Sequence, residues 1–462
     1  MMGQRKFNMK QFHNLSLDDL VSPNDLYRKI DGMIDFSFIY ELAKESYSHT
    51  GQPSLDPVVF FKIELVGFFE GIHEDRALER RIKDSLAIRW FLGYDLDEPP
   101  PVHSTISRTR KERISKVIYQ AVFDHMLGLC IRHQLVKGNH QSIDSTLLKA
   151  NAALDSLEML QPKVLAHYEK AVGMNHPESK DKDPEFTSSK SIRRDQEAKA
   201  AKKPGFPGAA YYKASVSVDE ACGIITHAQV DNGNKNDSEL LQPIIREVKE
   251  RLGQQGLSCQ SVATDKGFYS TENLKCLSDE TIVAYMTPRQ LTTTEGDFAR
   301  EHFHYDKPND RFLCPQGKPL YFKQLDDKLS HIRRYRAREK DCRVCPQKSL
   351  CTQGKARTIQ FSIHEDLIAE AIKRSETQEA KAAHHLRNIQ AEGTFAYLKE
   401  VLKFKKLYSL GLESAGKRFL VGCTVINLKK LIRFLLWFRI FLSQVLGSVK
   451  ERAKFSFGLS AI

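Results

Sequence analysis

Between Tyr211 and Met286 the chain carries an order of elements that admits few folds. YYKASVSVDEACGIITHAQVDN alternates apolar and polar residues on both sides of an Asp-Glu-Ala-Cys-Gly turn, the pattern of a hairpin. NDSELLQPIIREVKERLG then reads as a capped helix, SVATD as a strand, TENLKCLSD as a helix and TIVAYM as a further strand. Upstream, HQSIDSTLLKAN alternates in the same way and reads as a strand with Asp144 on its outgoing end. Strand, hairpin, helix, strand, helix, strand is the order of a mixed α/β sheet covered by helices.

The flanks have other textures. From Leu17 to about Leu135 the apolar period is helical and SPND and GQPSLDP punctuate it, so residues 1–135 read as an all-α N-terminal domain. Its last helix opens at PPPVHSTISRTRKERI, where Ser104 or Thr105 can cap and Arg108, Arg110, Lys111 and Arg113 follow. A basic helix after a tight connection suits DNA phosphates; a solvated charged face gives the same pattern. Residues 136–287 hold the first part of the sheet, with a polar excursion at about 176–208 too charged to pack and expected to be mobile. Residues 288–366 form a Cys-rich insertion, and 367–462 return to the sheet domain and end in basic helices.

At 462 residues the chain needs more than one small core. Its 70 Lys and Arg exceed 58 Asp and Glu, a net +12, and Lys381–Lys454 alone holds fifteen basic against four acidic residues. Such an excess favours a polyanionic partner, although solubility also accounts for a mild one. MMGQRKFNMKQF turns polar at once, so no secretory leader is expected and the cytoplasm is the expected compartment. LIRFLLWFRIFLSQVL is broken by Arg433 and Arg439 and falls short of the roughly 20 apolar residues of a bilayer span. It reads as a packed helix.

The chemistry rests on acids. Asp265 ends the SVATD strand just before Lys266 and Gly267; by itself it also fits a turn starter. If the strands of Asp144 and Asp265 are neighbours, their carboxylates converge on one edge and repel unless a cation sits between them. Hard divalent ions are held in this way, by two or three carboxylates with water or phosphate oxygens. A third acid is available in HHLRNIQAEGTFAYLKEVLKFKKLYSLG, where Glu392 and Lys399, seven apart, share a helix face; an exposed Glu on a charged helix is the plainer alternative. In the insertion, Cys314, Cys342, Cys345 and Cys351 follow C-x27-C-x2-C-x5-C, which fits either a four-thiolate zinc site or reduced thiols packed in a small subdomain.

Taken in order, IDST-x-x-KAN, ATDKGFYS and E-x-x-F-A-x-L-K resemble the DDE transposases of bacterial insertion sequences, in the group with a Cys-rich insertion. SPNDLYRKID, GQPSLDPVVFFKIELVGFFEG, LAIRWFLGYDLDEPPPVHSTISRTRKERI and GNKNDSELLQPII resemble its helical leader and core, from about Leu17 to Gly411. The resemblance implies an RNase H-like core in which Asp144, Asp265 and Glu392 are the catalytic, metal-holding acids, 121 and 127 residues apart. It also implies Mg²⁺ or Mn²⁺, with two ions, and double-stranded DNA as partner, both terminal repeats and target. A homodimer as the active assembly and a nucleoid-associated cytoplasmic location follow from the same resemblance. Lys399 matches the family's basic residue beyond the Glu, whereas the Arg it places four before the Glu falls at Asn388 here, one off Arg387. On a regular helix Arg387 would point away from Glu392. Lys266, Lys403, Lys405 and Lys406 join Arg108, Arg110, Arg387 and Lys399 as expected DNA contacts. A structure-selective nuclease of the same fold and an inactive DNA-binding descendant are the alternatives.

Overall fold

The computed structural model describes residues 16–47, 54–151, 157–159, 190–192, 195, 197–201, 209–287, 298–299, 302–325 and 332–458. Most of the 176–208 excursion lies outside the described residues. Of its described part, Ala198 is buried and Lys199–Ala201 pairs with the main sheet, so this end packs despite its polar context.

Strands β1 (His140–Lys149), β2 (Lys199–Ala201), β3 (Ala209–Asp219), β4 (Ile225–Asn232), β5 (Ser261–Thr264) and β6 (Val283–Tyr285) form one mixed sheet. Antiparallel β3 pairs with β1 on one side and with β4 and β2 on the other, while β5 and β6 add in parallel beyond β1. A helical leader precedes this sheet, whose strand order and directions agree with the RNase H-like core expected from the sequence. The β3–β4 hairpin matches the alternation of its sequence, since each side chain has either the core or the opposite face to occupy. Gly223 closes that hairpin at φ +66°, a left-handed conformation that favours glycine.

Helices cover both faces. Asp237–Gly253 packs on β4, and the 47-residue helix Leu412–Gly458 lies across β4 and Lys116–Arg132. Asn427 of the long helix accepts from the Ile225 amide at 2.8 Å and donates to its carbonyl at 2.9 Å, satisfying backbone groups on an edge strand that has no further partner there. The N-terminal helices are no separate core: one continuous apolar cluster runs from Tyr27, Phe60 and Phe123 through Val216 and Ile244 to Phe419 and Ile432. The apolar run near the C-terminus is only partly packed. Trp437, Phe438, Ile440 and Phe441 are exposed on the long helix. Among the described residues no single helix is long and apolar enough to cross a membrane.

The insertion folds around its own antiparallel sheet of five strands, β7 (His304–Asp306), β8 (Arg311–Leu313), β9 (Pro319–Leu325), β10 (Ile332–Ala337) and β11 (Thr358–Ser362). Phe303, Phe312, Leu320, Tyr335 and Ile359 make a second small core there.

Candidate active site

Asp144 sits in the middle of β1, not at its end. The strand is prolonged because all of Gln141–Lys149 pairs with the long β3. Its other neighbour is short: the β1–β5 register ends at Ile143 opposite Thr264, so the next residues are Asp144 and Asp265. Two parallel neighbours in register present side chains to one face, and that brings these two acids together where β5 stops. Asp265 then caps a 3-10 turn, Lys266–Phe268, with its carboxylate accepting from the Lys266 amide at 2.7 Å.

Gly267 serves packing. A Cβ on it would come within 2.7 Å of an Asp237 oxygen, so a larger residue there would push the Asp265 loop and the Asp237 side chain apart. Asp237 is fixed in turn by Lys213 at 2.9 Å and by the Ser145 hydroxyl. Lys266 itself is exposed.

The third acid arrives by an irregular helix. Gln378–Arg387 is α-helical, Asn388–Glu392 is a π-turn, Gly393–Ala396 is α-helical again, and Tyr397–Val401 is a second π-turn. A π-turn winds in one extra residue, so positions five apart share a face. Arg387 and Glu392 are five apart. The expectation that Arg387 points away is therefore corrected: its Nη2 donates to Glu392 Oε1 at 2.9 Å, and its Nη1 lies 3.5 Å from Asp144 Oδ2. Arg387 is buried between two of the three acids, with its Nε unpartnered.

Burial pushes the Asp144 carboxyl up to about 6; the Glu392 and Asp265 carboxylates push the same way, against the Ser145 amide and Arg387. A buried acid beside two others is short of positive charge, and Arg387 supplies part of it. Lys399 reaches the same strand, donating from Nζ to Thr146 Oγ1 at 2.6 Å. Thr146 is two residues beyond Asp144 and shares its face. A hydroxyl inside an alternating strand carries no sequence signal for such a role, and Thr146 was not foreseen.

Other expected contacts separate. Arg108, Lys403 and Lys405 are exposed and Lys406 is half-buried. Arg110 is not on a surface: it is buried, donating to Glu64 at 2.6 and 3.0 Å and to Asp75 at 2.8 Å. The basic helix is also short, His103–Arg108, with Val102 rather than Ser104 or Thr105 at its N-cap and a π-turn over Thr109–Arg113.

In the insertion, Cys314, Cys342, Cys345 and Cys351 all carry free thiols and line one small cavity. Cys314 opens a tight hairpin turn in which the Lys318 amide donates to its Sγ at 3.3 Å. Burial pushes the Cys351 thiol up, opposed by Arg357 and reinforced by the three other thiols. Among the described residues no group of three or more His, Cys, Asp or Glu side chains is arranged to hold a metal as it stands. By donor type both clusters fit one: three acids short of positive charge suit a hard cation, and four thiols with an amide aimed at sulfur suit zinc.

Two family models match this chain. One, a Transposase domain (DUF772), covers residues 15–112, and the other, a Transposase DDE domain, covers residues 313–432. Over these two stretches the chain is similar to transposases, and over the second to DDE transposases. The DDE match includes Glu392 and Lys399 and most of the Cys-rich insertion; Asp144 and Asp265 fall outside it and rest on geometry. A search of curated proteins finds no match. Among solved structures, a Mos1 transposase paired-end complex with left transposon end aligns at 8% identity over 52% of this chain and 60% of that one, TM-score 0.16. A piggyBac transposase synaptic complex with hairpin DNA aligns at 10% identity over 90% and 83%, TM-score 0.27. This chain thus spans about 60% of the Mos1 chain's length, and likeness at these scores carries no argument.

Proposed function

We propose that this chain is a metal-dependent DNA transposase that cleaves at the ends of its element and joins the freed 3′-OH to target DNA. The observation that carries this reading is the meeting of Asp144 and Asp265 on adjacent parallel strands with Glu392, which Arg387 ties to Asp144. Asp144, Asp265 and Glu392 would hold Mg²⁺ or Mn²⁺, as a pair of ions; once bound, the metal supplies Lewis-acid activation of the attacking oxygen and neutralises developing charge. The protein's own work is positional. Strands hold two acids at fixed separation, and Arg387 balances their charge until a cation does so. Lys399 is steadied by Thr146 beside them, and its ammonium suits a phosphate at the reacting bond. Retention of all three acids in one cluster speaks against an inactive descendant.

The test is incubation with DNA flanking the protein's own gene and Mg²⁺, with nicks mapped by sequencing. Cuts confined to the element ends, each leaving a 3′-OH, are expected. Nicks scattered along the duplex would favour a nuclease instead.

Lys399→Ala is expected to lower cleavage far more than affinity, because a single contact adds little to a large electrostatic footprint yet places the reacting group. Neutralising Lys403, Lys405 and Lys406 should do the reverse. Binding to every sequence weakens, and the salt dependence flattens by about 0.9 log unit per lost phosphate contact. Equal effects of the two changes on cleavage and on salt slope would remove Lys399 from the active-site face.

The Cys-rich insertion supports a structural zinc held by Cys314, Cys342, Cys345 and Cys351. Protein purified without chelator is expected to carry about one zinc per chain, the count for one four-thiolate site, and chelation is expected to unfold the insertion before the main core. Elemental analysis that finds none leaves these cysteines as packed thiols.

A further inference from the structure

On the flank of the Glu392 helix opposite the acids, a cavity of about 580 Å³ opens between that helix, the β3–β4 turn and the long C-terminal helix. Lys429, Lys430 and Arg433 line it, and no carboxylate does among the described residues. Most buried cations among the described residues are matched by carboxylates, Arg110 and Arg418 by Glu64, Lys417 by Glu413, Arg387 by Glu392 and Asp144, while Arg89 is held by the Asp95 and Glu98 carbonyls. Lys429 and Lys430 are half-buried and Arg433 is exposed at the rim, and none of the three has a carboxylate partner among the described residues. Lys430 donates to the Gly223 carbonyl, and Lys429 donates to the Tyr397 hydroxyl at 3.3 Å and lies over the Phe69 and Tyr397 rings. Partners of that kind bind a cation without cancelling its charge. Burial depresses Lys430 to about 8, as expected of an ammonium held without a counter-anion.

We propose that this cavity is a second phosphate site, taking a backbone phosphodiester of the DNA strand that runs past the Glu392 helix. The proposal rests on the reading of the chain as a DNA-acting transposase. Its ligand is an anion because only cations and neutral groups line the walls, and a strand rather than a free ion because the cavity is open and shares a helix with the active site. A helix is about 10–12 Å across with its side chains. At 3.4 Å per step along a strand, that is about three nucleotides from the reacting bond. Lys429, Lys430 and Arg433 thereby fix the register in which the strand meets Glu392.

The experiment is acylation footprinting of the wild-type full chain near pH 8, with modification of Lys430 followed by mass spectrometry. With duplex DNA at about ten times its Kd, acylation of Lys430 is expected to slow about tenfold. Inorganic phosphate at equal phosphate concentration should leave the rate unchanged. An unchanged rate with DNA overturns the proposal, whether the duplex binds elsewhere or not at all, and equal protection by inorganic phosphate reduces the cavity to a small-anion site. Lys430→Gln with Arg433→Gln gives a second reading: the salt slope of duplex binding should fall by about 1.8 log units, two contacts' worth, and an unchanged slope contradicts the assignment. Cleavage is scored separately. Protection without cleavage leaves this site standing and sinks the transposase reading; cleavage without protection does the opposite.

Discussion

Asp144→Asn, Asp265→Asn and Glu392→Gln are each expected to lower cleavage by about a thousandfold or more, the scale of losing a group that organises transition-state charge. DNA affinity should hold or rise, because each change also removes a negative charge that repels phosphate. The same geometry sets a pH dependence. Proton and metal compete for Asp144, whose carboxyl burial pushes up to about 6, so apparent Mg²⁺ affinity should climb as pH is raised through that value. Cleavage that survives any of the three substitutions, measured on the element's own ends, would remove that residue from the site.

Glu64→Ala should cost about 3–5 kcal/mol of stability in chemical denaturation, the usual result of removing one partner of a buried ion pair. Glu64 is fully buried in Pro57–Glu70, where one oxygen accepts from Arg110 and the other from Arg418 at 2.9 Å. Burial opposes its ionisation, but the two guanidinium groups outweigh burial and hold its carboxyl below the usual range. The stabilisation is therefore present above the ordinary Glu range and is lost as pH falls toward the depressed value. Asp75 would still hold Arg110, but Arg418 would be left with no carboxylate among the described residues, only the Phe68 ring and His73, an imidazole that burial and Arg418 depress to about 4. His73 also bonds the Leu402 carbonyl at 2.7 Å, just beyond Lys399, so this cluster ties the N-terminal helices to the active-site helix. A loss under about 1 kcal/mol, as for a surface pair, would mean that the cluster is not what joins them.

What the sequence revealed and what it hid divide along physical lines. The alternation around Asp219–Gly223 and the short apolar run before Asp265 are local patterns, and they led to the sheet and to the meeting of Asp144 with Asp265. The position of Asp144 within its strand was hidden, because strand length is decided by the partner: β3 prolongs β1 past the point where β5 ends. The π-turn at Asn388–Glu392 was hidden too. No residue type marks an extra residue wound into a helix, and a regular 3.6-residue period necessarily sent Arg387 to the wrong face. Arg110 looked like one of a run of surface cations because its counter-charges, Glu64 and Asp75, lie 46 and 35 residues earlier. The three cations of the cavity behind Glu392 gave no signal for a different reason. Lys429, Lys430 and Arg433 stand out only once it is visible in three dimensions that no carboxylate among the described residues pairs with them.

Strand transfer tests the central claim most directly. The protein, Mg²⁺, a duplex carrying the element's own end with a labelled 3′ strand, and a plasmid target are incubated together, and the products are resolved under denaturing conditions. Label joined covalently to plasmid through the 3′ end of the element is the predicted result, absent when Glu392 is replaced by Gln. Efficient cutting of the end with no label ever joined to plasmid, under conditions where the plasmid is bound, would contradict it and leave a nuclease in its place.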